Sequence, residues 1–268
     1  MSASSALKYG KDQRYYDLLS YLVSNAVAGE IMAIENYSDM VPLLASTDEK
    51  IETVQQAQDE AKHVQVLSKL GKKLKFTVKR EIVEPQWLNI RKHYREAVNK
   101  NDLASCLIAQ DLMVETMAIV LYRTLGRDTD PDTKRFADNI LEDEIRHLDI
   151  GIDRIKRMLD ANPASVHSSL EWTHNSVMRE LFSLISYSCQ SLCGDLEVKC
   201  DTLGLDSINT DLENIKVDAM DCYMEMLDKV GFDVNVTTPL IASMSEYGVR
   251  PSADLSLSSD SCGTGRCC

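Results

Sequence analysis

What this chain of 268 residues lacks narrows it first. Turn clusters are sparse, with only 6 prolines and 11 glycines. Convincing strands are absent, and Lys75 to Val83 is the one stretch with some β character. Sheet-built folds need turn signals every few residues, so they are excluded. The longest apolar run, Leu103 to Tyr122, is interrupted by Asp111 and Glu115. That argues for a buried core helix and against a transmembrane segment. No charged-then-apolar segment appears near the N-terminus, so no secretory signal is expected. Eight cysteines form neither a C-x-x-C pair nor a disulfide-like ladder, which suits a reducing cytosol and a cytoplasmic protein. Positive charge is in deficit: 29 Lys and Arg face 42 Asp and Glu, a net −13. On that balance no nucleic acid and no anionic membrane is expected as a partner; a basic redox protein or a neutral small molecule fits better.

What is present reads as helix. Apolar residues recur at three- and four-residue steps almost throughout. The pattern predicts a first helix from about Arg14 to Leu44. A second starts near Ser46, where Ser46 and Glu49 form a capping box, and stops before Gly71. A third lies between Pro85 and Asn99, and a fourth runs from Asp102 to just before Gly126. Asp130 and Pro131 supply a cap and a first-turn proline for a fifth helix, ending near Leu159. Asn162-Pro163 breaks it. Two long helices follow, about Ser165 to Cys200 and Thr210 to Val230 with Gly231 as stop, then a short one from Thr238 to Tyr247. From Pro251 the chain is rich in Ser, Gly and Asp and reads as a disordered tail. The expected architecture is an all-α bundle of about seven to eight helices, a single domain over residues 1–250 with a tail over 251–268.

Two matching stretches carry chemistry. Asp59-Glu60-Ala61-Lys62-His63 and Asp143-Glu144-Ile145-Arg146-His147 each place a Glu and a His three residues apart on a helix. Residues at that spacing share a face. Glu-x-x-His from two helices, with one Glu from each of two more, is the ligand set of a carboxylate-bridged di-iron or di-manganese bundle. The fourth helix offers Glu115 on an apolar stripe, where a carboxylate is costly unless it binds a cation. The first offers Glu30 or Glu35, and spacing selects Glu30. Glu115 precedes Glu144 by 29 residues and Glu30 precedes Glu60 by 30, whereas Glu35 would give 25. The six expected metal ligands and catalytic groups are therefore Glu30, Glu60, His63, Glu115, Glu144 and His147. The ligands form two helical hairpins related by an approximate two-fold axis. Four carboxylates and two neutral imidazoles around two divalent cations make a neutral site. Asp59 and Asp143 are placed to orient the imidazoles, and Lys62 and Arg146 to balance those acids. Glu35 reads as a surface residue or one just behind the ligands, and His93, His167 and His174 as ordinary polar positions. Oxygen and nitrogen donors without thiolates suit iron or manganese, a pair that activates dioxygen.

At these residues the sequence resembles the cyanobacterial aldehyde-deformylating oxygenases, the long-chain fatty aldehyde decarbonylases of the ferritin-like superfamily. The resemblance covers roughly Ser24 to Val249. It rests on NAVAGEIMAIENY (Asn25 to Tyr37), Glu60/His63, CLIAQDLMVETMAIVLY (Cys106 to Tyr122), DEIRH (Asp143 to His147), and the closing YMEMLDKVGF and SEYGV. It implies that the six residues bind two irons, with Mn/Fe as the variant pair, and that Tyr37, Gln110 and Tyr122 surround them. It also implies the reaction: a long-chain aldehyde, dioxygen and external electrons give a hydrocarbon one carbon shorter plus formate. The electrons would come from a donor such as a ferredoxin with its reductase. The apolar tunnel would draw on Ile31, Ile34, Leu67, Met113, Met117, Val120 and Leu121. Two features depart from the family: Leu70-Gly71 stands where a cysteine often follows the first histidine, and Cys189 to Thr210 is longer than expected. These keep open a di-iron enzyme that hydroxylates, N-oxygenates or cleaves another small molecule, or a non-enzymatic iron-binding protein. The terminal Cys267-Cys268, if acylated, would add weak membrane association without a spanning helix.

Overall fold

The computed structural model describes residues 8–185 and 208–244, and among them all regular structure is helical. We number eight helices. They are α1 (Gln13–Met40), α2 (Thr47–Leu74), α3 (Arg80–Asn99), α4 (Leu103–Arg127), α5 (Pro131–Ala161), α6 (163–185), α7 (Leu212–Val230) and α8 (Val234–Ser243). The expected tail and the distal half of the sixth helix lie outside the described residues.

Side-chain caps fix most starts. Asp12 accepts from the Tyr15 amide at 3.0 Å, Asp102 from Ser105 at 3.0 Å and Asp211 from Asn214 at 2.8 Å. Asp130 accepts from the Asp132 and Thr133 amides, with Pro131 in the first turn as expected. Ser46 caps α2, but its box partner is engaged elsewhere: the Glu49 carboxylate meets Arg157 at 3.0 Å.

Three boundaries differ from expectation. α2 runs through Gly71 and ends where Lys75 turns left-handed at φ 64°. Gly71 is there for packing, since a Cβ would stand 3.2 Å from the Phe76 carbonyl oxygen. The β-like stretch before Pro85 opens α3 at Arg80, so that proline lies inside a helix and forfeits one backbone bond. α8 begins at Val234, four residues early, because Asp233 caps it.

α1 packs on α2 and α4 on α5, which gives the two hairpins; α3 lies along α1, and α7 against α4 and α5. Among the described residues, α1 and α4 are also the two segments long and apolar enough to cross a membrane, and both are mostly buried inside the bundle. With few Phe and Trp, buried tyrosines fill much of the core, and several spend the hydroxyl on a tertiary bond. Tyr15 donates to Asp130 at 2.7 Å and Tyr94 to the Asn36 carbonyl at 2.8 Å. Cys106 is free and buried, its thiol pushed up to about 12 by burial.

His174 is more than an ordinary polar position. It is fully buried, with Nδ1 3.1 Å from the Tyr223 hydroxyl and Nε2 3.4 Å from Ser243, so it ties α6 to α7 and α8. Burial lowers its pKa from 6.5 to about 4. The unfolded chain therefore binds the extra proton first as pH falls. This contribution to stability is complete above pH 6.5 and is lost towards pH 4, reaching about 3 kcal/mol there. Urea midpoints measured across that range should fall more steeply for the native chain than for His174→Gln; equal slopes would refute the assignment.

Candidate metal centre

α1 delivers Glu30, α2 Glu60 and His63, α4 Glu115, and α5 Glu144 and His147. The structure brings all six together, none more than 6% exposed. One ligand atom from each of Glu30, Glu60, His63 and Glu144 lies within 4.8 Å of the others, and the same holds for Glu60, Glu115, Glu144 and His147. Glu60 and Glu144 belong to both groups. The cluster is thus built as two adjoining seats with two carboxylates between them.

Both imidazoles turn Nδ1 inward. His63 Nδ1 lies 3.0 Å from Glu60, 3.2 Å from Glu144 and 3.3 Å from Glu30; His147 Nδ1 lies 3.0 Å from Glu60. Their Nε2 atoms face outward to acids of the opposite hairpin, His63 to Asp143 at 3.2 Å and His147 to Asp59 at 3.6 Å. For His63, an N–H kept on Nε2 by Asp143 leaves the Nδ1 lone pair for a cation. Arg146 joins the two acids at 2.7 and 2.8 Å, and Lys62 adds 2.7 Å to Asp59. Burial works against the Asp59 charge, yet Lys62 and Arg146 hold its pKa at about 2.

The same crossing recurs at the glutamates. Tyr37 of α1 donates to Glu115 at 2.8 Å, and Tyr122 of α4 donates to Glu30. Each tyrosine follows its own helix's glutamate by seven residues. The two hairpins therefore exchange hydrogen bonds reciprocally, as an approximate two-fold requires.

One asymmetry was invisible in the sequence. Residues Ile108–Val114 of α4 form a π-helical segment. In an α-helix, residues five apart point in different directions; the wider turn brings them into line. Gln110 thereby reaches Glu115, five residues on, at 2.9 Å. Its counterpart on α1 is Asn25, five before Glu30. There the helix stays α and the Asn25 amide bonds back to the Tyr21 carbonyl at 3.2 Å. Beyond Gln110 the bonding continues outward: Asn36 donates to Gln110 at 2.7 Å, and Arg91 to Asn36 at 2.9 Å. Spacing arguments missed Asn36 and Arg91 because both partners lie on other helices.

The π segment also carries Asp111, which is fully buried with neither carboxylate oxygen hydrogen-bonded; burial raises its pKa to about 7. It lies against Gly151, where a Cβ would come 2.2 Å from the Asp111 Cβ. Gly151→Ala, which usually stabilises a helix, is expected here to cost about 1–3 kcal/mol by overpacking. A rise in thermal midpoint for that variant would refute the packing argument.

The donors fit divalent cations. Glu60 Oε1, Glu144 Oε1 and both ring nitrogens of His147 are buried without hydrogen-bond partners. Burial, then the neighbouring carboxylates, raise Glu60 and Glu115 well above the ordinary range. Glu144 is held low despite burial by its contacts with His147 and His63. Four carboxylates in so small a dry space are in conflict with one another. Two doubly charged cations would cancel that charge and satisfy the orphaned atoms.

A cavity of about 1090 Å³, counting its open mouth, ends on this cluster. Glu30, Glu60, Glu115, Glu144 and Gln110 form its polar end, and the rest of its lining is overwhelmingly apolar. From Ala33 to Leu18 it follows α1 for fifteen residues, roughly 22 Å. Met117, Val120 and Leu121 line it as expected. Met113 and Leu67 are instead buried in the core, Ile31 lines a separate surface depression, and Ile34 lines neither. The π segment contributes to this miss, because it breaks the α-helical phase on which Met113 was placed.

Residues 12–250 match the family model for long-chain fatty aldehyde decarbonylase. The chain belongs to the long-chain fatty aldehyde decarbonylase family. Among solved structures it resembles a Synechococcus protein with aldehyde deformylating oxidase activity, at a TM-score of 0.72 and 18% identity over 86% of this chain and 97% of that one. It also resembles an R2-like ligand-binding oxidase variant with an aerobically reconstituted Mn/Fe cofactor, at a TM-score of 0.63 and 18% identity over 83% and 84%. Likeness at that identity shows the shared fold. This aldehyde decarbonylase family member is thus a ferritin-like enzyme with a buried cluster suited to a di-metal cofactor.

Proposed function

We propose that the protein is a di-iron oxygenase that cleaves a long-chain aldehyde with dioxygen and external electrons. The bond between the aldehyde carbon and its neighbour breaks, the aldehyde carbon leaves as formate, and the chain leaves as a hydrocarbon one carbon shorter. The observation that carries this reading is the cavity: a long apolar slot whose only strongly polar end is the carboxylate cluster. It takes a chain whose single reactive polar group is terminal.

In this reading Glu30, Glu60, His63, Glu115, Glu144 and His147 hold two irons, which supply dioxygen binding and electrons. The chain's own residues do the rest. The walls between Leu18 and Ala33 desolvate the hydrocarbon and aim its head at Glu30 and Glu115. Tyr37 and Gln110 fix the Glu115 carboxylate, and Tyr122 fixes Glu30. Asp143 keeps the His63 proton on Nε2, and Asp59 faces His147 Nε2 from the opposite hairpin. We read the protein as soluble and cytoplasmic, with one domain through residue 250. Iron-loaded protein given octadecanal, a chemical reductant and air should yield heptadecane and formate by mass spectrometry. Failure to form both would sink the reading.

A further inference from the structure

The cavity that ends on the carboxylate cluster is not apolar along its whole length. Away from the cluster, two of its lining side chains keep a buried polar atom with no hydrogen-bond partner among the described residues: Oδ1 of Asn25 and Nε1 of Trp87. Asn25 is 5% exposed and Trp87 9%. Thr124, further along the wall, is by contrast satisfied, its hydroxyl donating to the Val120 carbonyl at 2.8 Å.

The chemical role of each atom is fixed. The Asn25 amide nitrogen already donates to the Tyr21 carbonyl at 3.2 Å, so the oxygen that remains can only accept. The indole nitrogen of Trp87 can only donate. Both groups belong to one stretch of wall. The Trp87 ring rests on Gly29, 3.0 Å from where a Cβ would be, and Asn25 lies one turn of α1 before Gly29 on the same face. Asn25 holds the place on α1 that Gln110 holds on α4. The π segment spends Gln110 on Glu115, whereas the regular turn of α1 leaves Asn25 to the cavity. Leucine and phenylalanine at these two places would line a slot for plain hydrocarbon without burying unpaired polar atoms.

We propose that Asn25 and Trp87 form a hydroxyl-binding subsite in the cavity, so that the preferred substrate is an aldehyde with a hydroxyl on its chain; this rests on the reading above of an aldehyde-cleaving enzyme. One acceptor and one donor match a hydroxyl, which donates to Asn25 Oδ1 and accepts from Trp87 Nε1–H. Asn25 stands five residues from Glu30, about 7.5 Å along α1, which places the hydroxyl about six carbons from the aldehyde. A chain without that hydroxyl leaves both groups unpaired when it binds, and this sets the discrimination.

The test compares kcat/KM for octadecanal with that for 6- and 7-hydroxyoctadecanal, using iron-loaded full-length protein, a chemical reductant and air. The native chain should favour one of the hydroxylated aldehydes about tenfold or more. Asn25→Leu and Trp87→Phe each remove one partner and keep apolar bulk, and each should bring that ratio down towards one. Displacement of a fluorescent fatty acid from the iron-loaded protein under nitrogen measures affinity for the same aldehydes without turnover, and should rank them in the same order. Equal values for plain and hydroxylated chains in the native protein overturn the proposal. So does a preference that survives both substitutions. If no aldehyde yields hydrocarbon, the reading of the reaction fails, while the affinities under nitrogen still decide on the subsite.

Discussion

His147→Ala is expected to leave a folded helical bundle that no longer holds two irons per chain. The imidazole is fully buried and belongs to the seat formed with Glu60, Glu115 and Glu144. Losing an outer hydrogen bond at a metal site costs about 10–100-fold in affinity, so losing the ligand itself should cost more. Metal analysis after anaerobic iron loading should therefore fall from two irons to one or none, and hydrocarbon formation should fall below detection. Helix content by circular dichroism should hold, because the helices rest on the extensive apolar core packed between them and not on this one imidazole. Glu115→Gln serves as the second variant, since it keeps the shape and removes one charge. Two irons retained in both variants would show that the ligands lie elsewhere.

Ala26→Phe is expected to divide substrates by length. Ala26 lines the cavity one helical turn before Glu30, about 6 Å along α1. A phenyl ring there closes the slot beyond the reactive end. A long aldehyde loses burial of about four methylenes at about 0.8 kcal/mol each, or roughly 200-fold in kcat/KM for octadecanal. Hexanal, which ends before the ring, should keep its native kcat/KM. Metal content should be unchanged, since Ala26 offers no ligand atom and the phenyl ring points into the apolar slot that it lines. Equal losses for both aldehydes would mean that the chain does not lie along α1.

The sequence by itself determined the bundle and the identities of the converging side chains. Heptad-like apolar steps give helices, and Glu-x-x-His repeated at nearly equal offsets from Glu30 and Glu115 names the six residues. Caps at Ser46 and Asp130 were legible because capping is a local interaction between a side chain and amides two or three residues away. Tertiary structure decided everything that depends on a second helix or on helix phase. Tyr37 bonds the other hairpin's glutamate, Asp59 and Asp143 face the other hairpin's histidine, and Arg91 reaches Glu115 through two intermediates. The π segment at Ile108–Val114 changes which residues of α4 face inward, and no residue type announces it. Local rules travel along the chain, whereas contacts between helices are set by packing that the sequence specifies only collectively.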